Sequence, residues 1–369
     1  MPYQTIGIIG GGQLGRMMCL SAKAMGYNVI ILDPTPNCPA GQVADAEITA
    51  AYNDMEAIKE LAAKSDVVTY EFENIDYEAL TYLEKHAYLP QGSSVLKITQ
   101  HRYREKKAIS DMGIPVADFH LIDTVEKLEE HVTYPSVLKT TTGGYDGKGQ
   151  VVIRTEADLE KARELVKNSE CIIEAFVPFL MEISVLIARS TTGETSVFPV
   201  AENIHVNNIL HESIVPARIS KEMEQKAIAA AEKIATNLDA IGLLAIEMFV
   251  VGDEIYVNEL APRPHNSGHY SIDACITSQF EQHIRAVCGV PLGETTLHTP
   301  VVMVNILGDH MDKENMENLA AYMPLLPTGK IHLYGKAEAV DKRKMGHVNV
   351  LGDIDKTLAL IEKTGIWNV

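Results

Sequence analysis

Around residue 145 the chain sets two lysines on either side of a glycine-rich turn: Lys139, then Gly143-Gly144-Tyr145-Asp146-Gly147-Lys148-Gly149-Gln150. Four glycines within seven residues let backbone amides approach an anion closely. Lys139 and Lys148 supply charge to neutralise a polyphosphate. Asp146 lies between them, in a field that keeps its carboxylate ionised and available as a base. The segment reads as a lid over a nucleotide, with proton chemistry beneath it. It is not a phosphate loop of the G-x-x-x-x-G-K-[ST] kind: Thr142 stands where that motif needs glycine, and Gly149 where it needs a hydroxyl. The plain alternative is a solvated hairpin, and the acids further along the chain weigh against it.

Leu243 to Val251 reads as a core strand with one acid, Glu247, in its middle. After a turn at Gly252-Asp253 the return strand runs Ile255-Tyr256-Val257-Asn258-Glu259. A three-residue connection sets Val251 against Ile255 and Glu247 against Glu259; a two-residue connection shifts the register by one and weakens that pairing. Opposed carboxylates repel unless a cation lies between them, and Asn258 adds an oxygen donor at the same edge. Oxygen-only donors facing a nucleotide suit magnesium, with manganese as a substitute, rather than zinc. One acid in an ion pair and the other in solvent is the competing reading.

Two anion-binding stretches follow. In Leu260-Ala261-Pro262-Arg263-Pro264-His265-Asn266-Ser267-Gly268-His269 the prolines hold Arg263 extended, so that Arg263 and His265 point the same way and can grip a phosphate. Tyr334-Gly335-Lys336 and Lys342-Arg343-Lys344-Met345-Gly346-His347 form a second basic cluster in a chain whose net charge is −18. Solvated loops are the alternative for both.

The elements that position these groups alternate at the start: a strand over Thr5 to Ile9, the turn Gly10-Gly11-Gly12-Gln13-Leu14-Gly15, a helix to about Met25, then strands at Asn28 to Asp33 and Asp66 to Glu71. That order implies a parallel sheet covered on both faces. The turn satisfies G-x-G-x-x-G with Asp33 about 20 residues on, as a dinucleotide site requires, although any phosphate suits a helix N-terminus. Beyond residue 100 the pattern predicts a helix from Lys106 to Met112 and a hairpin of Pro135 to Lys139 with Gln150 to Ile153. Further strands fall at Cys171 to Glu174 and Ile183 to Ala188, and a helix is opened by Ser220. A smaller mixed segment after about Pro291 has strands at Pro300 to Ile306 and Lys330 to Tyr334.

The 369 residues allow two or three domains. The acidic balance argues against nucleic acid or an anionic membrane as partner, but not against small phosphorylated molecules. Five scattered cysteines without a C-x-x-C pair point to reduced thiols and a cytoplasmic protein. No apolar run reaches the length of a membrane span.

Taken together, Gly10–Gly15, Tyr70-Glu71-Phe72-Glu73-Asn74, Gly143–Gln150, Asn258–His269 and Gly335–His347 resemble the ATP-grasp ligases, and within them the 5-(carboxyamino)imidazole ribonucleotide synthase family. The resemblance runs from Ile6 to about Leu351. It implies an α/β architecture in three parts: an N-terminal Rossmann-like domain (1–99), an ATP-grasp domain (100–293, its lid subdomain about 113–172) and a small C-terminal domain (294–369). The implied reaction carboxylates aminoimidazole ribonucleotide with ATP and bicarbonate, through carboxyphosphate and carbon dioxide. Arg102, Lys139 and Lys148 are then expected near the ATP phosphates with the Gly144–Gln150 lid (Gly144, Tyr145, Asp146, Gly147, Lys148, Gly149, Gln150). Glu174, Ala175, Phe176 and Val177 would lie along the adenine and Glu182 on the ribose, with His205 nearby. Glu247, Glu259 and Asn258 would hold magnesium. Asp146 becomes the candidate base, with Tyr145 and Lys148 beside it. Gly12, Gln13, Leu14, Glu73, Arg263, His265, Lys336 and Arg343 would form the ribonucleotide site. The resemblance also implies a homodimer and a mutase that takes the product. Another ATP-grasp ligase, a nicotinamide-dependent oxidoreductase and a non-catalytic nucleotide sensor are the rival readings; the last two leave Glu247 and Glu259 without a task or require the loss of a residue that is present.

Overall fold

The computed structural model describes residues 5–143, 149–311 and 313–365. Gly144, Tyr145, Asp146, Gly147 and Lys148 lie outside the described residues.

Short apolar runs separated by helices give the opening sheet. Thr5–Ile9 (β1), Asn28–Asp33 (β2), Ala46–Thr49 (β3) and Val67–Tyr70 (β4) pair in parallel in the order β3-β2-β1-β4. Both faces are covered, which is why the strands read as nearly continuous apolar runs. Ile6, Ile8, Val29 and Ile31 pack with Leu14, Met17 and Met18 of helix Gln13–Ala24, whereas Ile9, Ile30, Val68 and Tyr70 pack with Ile58 and Leu61 of helix Met55–Lys64.

A second, antiparallel sheet carries the lid: Phe119–Ile122 (β5), Ser136–Thr140 (β6), Gln150–Ile153 (β7) and Cys171–Ala175 (β8), in the order β5-β8-β6-β7. The expected hairpin is β6–β7, with Lys139 opposite Gln150.

The largest sheet departs from the sequence reading. Met181–Arg189 (β9), Thr195–Val197 (β10), Ala201–Val206 (β11), Ile209–Val215 (β12), Gly242–Val251 (β13), Glu254–Ala261 (β14), Val301–Leu307 (β15), Gly329–Leu333 (β16) and Lys344–Leu351 (β17) form one sheet in the order β14-β13-β9-β11-β12-β15-β17-β16, with β10 beside β9. The C-terminal strands therefore do not build a sheet of their own; β15 pairs with β12 and extends the central one. Polar residues hid β11 and β12, but Asn207 and Asn208 between them both have positive φ, the backbone of a two-residue hairpin turn. Helix Lys221–Asn237, capped by Ser220 as the sequence suggests, lays Met223, Ala227, Ala231 and Ile234 on the core of this sheet.

The arm from Gly335 to Arg343 is seated by backbone contacts. The Gly308 amide donates to the Arg343 carbonyl at 2.8 Å, and a Cβ on Gly308 would run into the Val340 carbonyl. Overpacking against backbone costs about 1–3 kcal/mol. Gly308→Ala should lower the melting temperature by about 2 °C or more, measured by calorimetry; an unchanged value would mean that the arm is not held there.

Candidate active site

The two central glutamates are opposed, by a route the sequence did not suggest. The turn is Gly252-Asp253 alone, with Val251 paired to Glu254, a register that by itself would set Glu247 against Asn258. A β-bulge at Asn258 inserts one residue and restores the pairing of Glu247 with Glu259. Asn258 and Glu259 thus stand together across from Glu247.

Glu247 sits on the face of β13 that meets Ser184 of β9, and Glu182 lies two residues along the same face. Beneath it runs a buried polar network. Asn203 Nδ2 donates to Ser184 Oγ at 2.9 Å, Ser213 Oγ donates to Asn203 Oδ1 at 2.8 Å, and Ser184 Oγ donates to Ser267 Oγ at 2.8 Å. His265 Nδ1 lies 2.8 Å from Ser267 Oγ and accepts from the Ser267 amide, which directs its Nε2 at Glu247 Oε1, 3.3 Å away. Burial and the Arg263 charge push the His265 pKa well down, so this imidazole is neutral. His205 Nδ1 is 2.8 Å from Glu182 Oε2; burial would lower its pKa, but Glu182 outweighs burial and raises it.

Burial and the Glu259 carboxylate together push the Glu247 carboxyl up to about 8. A site that holds protons because two acids face each other is one that a divalent cation would relieve. No three His, Cys, Asp or Glu side chains converge as a metal cage among the described residues.

The edge strand β14 is covered by the segment before the lid sheet. Glu105 Oε1 accepts from the Leu260 amide at 2.7 Å, Lys106 Nζ donates to the Val257 carbonyl at 3.2 Å, and the Val257 amide donates to the Pro115 carbonyl at 2.8 Å. Lys106 was not picked out from the sequence, where it looks like one more surface cation of a charged helix. It is buried, and with Lys139 it flanks the buried Glu174, at 3.6 and 3.0 Å from Glu174 Oε2. Burial would raise the Glu174 pKa, but the two lysines hold it down at about 2. Both lysines approach Oε2, while Oε1 is buried without a hydrogen-bond partner among the described residues; beyond it Ala175 and Val177 are half-buried beside the exposed Phe176, with Phe179 stacked on Phe249 at 4.5 Å. Arg102 Nη1 donates to the carbonyls of Thr140 and Gly143, at 2.8 and 2.5 Å, and the Thr140 amide donates to the Gly149 carbonyl at 2.9 Å. These bonds fix the base of the glycine segment between Lys139 and Gln150.

The Gly10–Gly15 turn is filled from within. The Gly12 amide donates to Glu71 Oε1 at 2.5 Å, the Gly15 amide to Glu71 Oε2, and the Gly11 amide to Asp33 Oδ2 at 2.7 Å. Asp33 also accepts from the Thr35 amide at 2.8 Å and from Tyr52 Oη at 2.6 Å. The acid that a dinucleotide site needs for the ribose is therefore spent on the protein. For Gly12 this corrects the sequence expectation: its amide is engaged by Glu71, and only the first-turn amides of Gln13 and Leu14 are left to face an outside group.

Opposite this turn, Arg263 Nη2 pairs with Glu73 Oε1 at 2.9 Å, and burial raises the Glu73 pKa against that attraction. The C-terminal arm closes the side: the Gly335 carbonyl accepts from Gln42 Nε2 at 2.8 Å, and Lys336 Nζ donates to the Lys344 carbonyl at 2.6 Å. Burial, followed by the Arg343 charge, pulls Lys336 down to about 8. Arg343 itself is exposed. Lys344, not singled out from the sequence, has its charge in the field of Glu247, His205, His265 and Lys336.

Residues 3–100 match the ribonucleotide synthetase preATP-grasp domain, 107–280 the ATP-grasp domain, and 301–359 the C-terminal domain of phosphoribosylaminoimidazole carboxylase. The chain is 56% identical over 356 residues to the N5-carboxyaminoimidazole ribonucleotide synthase of Bacillus subtilis, covering 95% of this chain and 92% of the relative. An ADP complex of an N5-carboxyaminoimidazole ribonucleotide synthetase superimposes with a TM-score of 0.95 at 61% identity, over 99% of this chain and 97% of that one. The Aspergillus clavatus N5-carboxyaminoimidazole synthase, solved with ADP and 5-aminoimidazole ribonucleotide, has a TM-score of 0.90 at 30% identity, over 98% of both chains.

The raised Glu247 pKa has a measurable sign. The folded chain keeps a proton there that the unfolded chain loses near 4.5, so this residue's contribution to stability falls as pH rises from about 4.5 to about 8. Glu247→Gln removes that loss. Without divalent metal, its melting temperature relative to wild type should climb steadily from pH 5 to pH 8; a difference that does not vary with pH would refute the repulsion between the two glutamates.

Proposed function

The chain belongs to the N5-carboxyaminoimidazole ribonucleotide synthases, a family of ATP-grasp enzymes, and on that premise we propose how its residues share the work of the reaction. The activity is ATP-dependent carboxylation of aminoimidazole ribonucleotide in purine biosynthesis. We divide the chain at about residues 99 and 293, with the site built from all three parts.

The observation that carries the reading is the gathering, about Glu247 and Glu259, of cations from the central and C-terminal parts of the fold, with Glu73 of the N-terminal part paired to one of them. Lys106 and Lys139 lie on the lid side, Arg263 beside Glu73 of the N-terminal domain, and Lys344 and Lys336 on the C-terminal arm. An acidic chain gathers these charges where substrates carry phosphates at two ends: ATP and the ribonucleotide.

Lys139, Arg102 and the segment Gly144–Gln150 take the ATP phosphates, and Ala175 to Val177 take the adenine, with Glu182 and His205 at the ribose. Glu247 and Glu259, with the Asn258 side-chain amide, are the residues that would hold magnesium, which would supply neutralisation of phosphate charge. Bicarbonate attacks the terminal phosphorus of ATP with ADP as leaving group, and the carboxyphosphate so formed breaks down to carbon dioxide and inorganic phosphate within the site. Arg263, Lys336 and Arg343 hold the ribonucleotide phosphate, with His265, whose ring nitrogens face Ser267 and Glu247, beside them; Glu73 with the Gln13 and Leu14 amides completes that side. Asp146, between Tyr145 and Lys148, removes the proton from the substrate amine as it attacks carbon dioxide. The protein works as a homodimer in the cytoplasm and passes its product to a mutase; no helix among the described residues is long and apolar enough to cross a membrane.

ADP release from magnesium-ATP should rise strongly only when bicarbonate and aminoimidazole ribonucleotide are both present. Turnover indifferent to the ribonucleotide would redirect the assignment to another ATP-grasp ligase. Asp146→Asn should bind ATP within about twofold of wild type yet lose carboxylation by about 100-fold or more, within the range for removal of a general base. Normal carboxylation in that variant would remove Asp146 from its role.

A further inference from the structure

Arg263 lies in the irregular segment Pro262-Arg263-Pro264-His265, which follows β14 and belongs to no helix or strand. A chain with so little secondary structure needs other partners to hold its side chains at a fixed distance from a ligand. Two buried glutamines supply them, one at each end.

At the near end, Gln91 of the N-terminal domain donates from Nε2 to the Pro262 carbonyl at 3.3 Å. Its amide cannot turn over, because it closes a chain of bonds with a defined direction. The Leu243 amide of β13 donates to His283 Nδ1 at 3.1 Å, which leaves the proton of this buried ring on Nε2. Nε2 then donates to Thr69 Oγ1 at 2.8 Å, and the Thr69 hydroxyl donates to Gln91 Oε1 at 2.5 Å. With Oε1 fixed as acceptor, Nε2 must face Pro262. Thr69, Gln91 and His283 are all buried, so each bond is made without competition from water.

At the far end, Gln279 grips the His265 backbone on both sides. Its Oε1 accepts from the His265 amide at 2.8 Å, and its Nε2 donates to the His265 carbonyl at 2.7 Å and reaches His269 Nδ1 at 3.1 Å. Gln279 is fully buried, and a Cβ on Gly268 would strike both its amide and Leu186.

We propose that Gln91 and Gln279 are positioning residues for the ribonucleotide phosphate: they pin the segment at Pro262 and His265 so that Arg263 meets the phosphate already placed. The proposal rests on the reading of Arg263 as part of the phosphate grip. Gln91 is bonded to neither Glu247 nor Glu259, so its loss should act on one substrate only; Gln279 also seats His265, whose ring reaches Glu247, and the test therefore uses Gln91.

The test is a double-mutant cycle on the full chain with Gln91→Met, Arg263→Ala and the pair, read by calorimetric titration of aminoimidazole ribonucleotide and by KM for each substrate. Gln91→Met alone should weaken ribonucleotide binding by about tenfold, with the KM for ATP within about twofold of wild type. In the Arg263→Ala background the same change should cost almost nothing, because the group it positions is gone. Additive losses, unchanged ribonucleotide binding or a parallel rise in the KM for ATP would each overturn the proposal. Gln91→Glu keeps the shape and the acceptor for Thr69 but not the neutral amide donor, and takes the place of Gln91→Met should that variant fail to fold. If wild type shows no response to the ribonucleotide, the functional reading falls and the proposal falls with it; a wild type that responds while the cycle is additive removes the proposal alone.

Discussion

Two carboxylates that face each other across one ladder of a buried sheet are the constraint around which the site is arranged. Burial and the facing Glu259 both raise the cost of a charge on Glu247, and the surroundings answer with donors rather than with a counterion of their own. His265 approaches Glu247 as a neutral donor, and the serine and asparagine network below keeps that ring in one tautomer. No lysine or arginine is paired directly with Glu247 among the described residues. A direct ion pair would have satisfied the acid and kept it ionised. The cations stand further out, where ligand phosphates rather than the glutamates can use them.

Glu174 shows the opposite solution in the same fold. There the acid is held ionised by two lysines, which fixes Lys139 and Lys106 in place on the lid side. A buried carboxylate without such partners would take up a proton, and a buried lysine without Glu174 would lose one. One glutamate is thus balanced by two lysines of the protein, and another is left without a lysine or arginine partner among the described residues.

Much of this was legible in the sequence because it is written locally. The opening strands, the β6–β7 hairpin and the strand bearing Glu247 are short periodic runs with turn residues at their ends, and the basic stretches stand out against an acidic chain. The pairing of Glu247 with Glu259 was foreseen on the wrong turn length, and a bulge no sequence rule predicts made it right. What stayed hidden depends on distance in the chain. The extension of the central sheet by β15, β17 and β16 is set by the free edge of β12. Lys106 becomes a site residue only because a helix carries it against β14. The occupation of the glycine turn by Glu71 and Asp33 joins groups 56 to 59 and 22 residues apart. A motif read alone took those amides for a ligand's.

The unbroken sheet also dictates how the enzyme can open. Strand pairing runs without a gap from β14, which bears Glu259, to β16 and β17, which frame the Lys336 arm. Any hinge between the metal glutamates and that arm would have to tear the β12–β15 ladder, so these groups travel as one block. The four-stranded lid sheet is different: it shares no ladder with that block, and meets it through the isolated bridge of Val116 with Val257 and through contacts such as Lys106 with the Val257 carbonyl and Phe179 on Phe249. A shift of the small sheet would leave every ladder of the larger one intact, whereas a shift within the larger one would not.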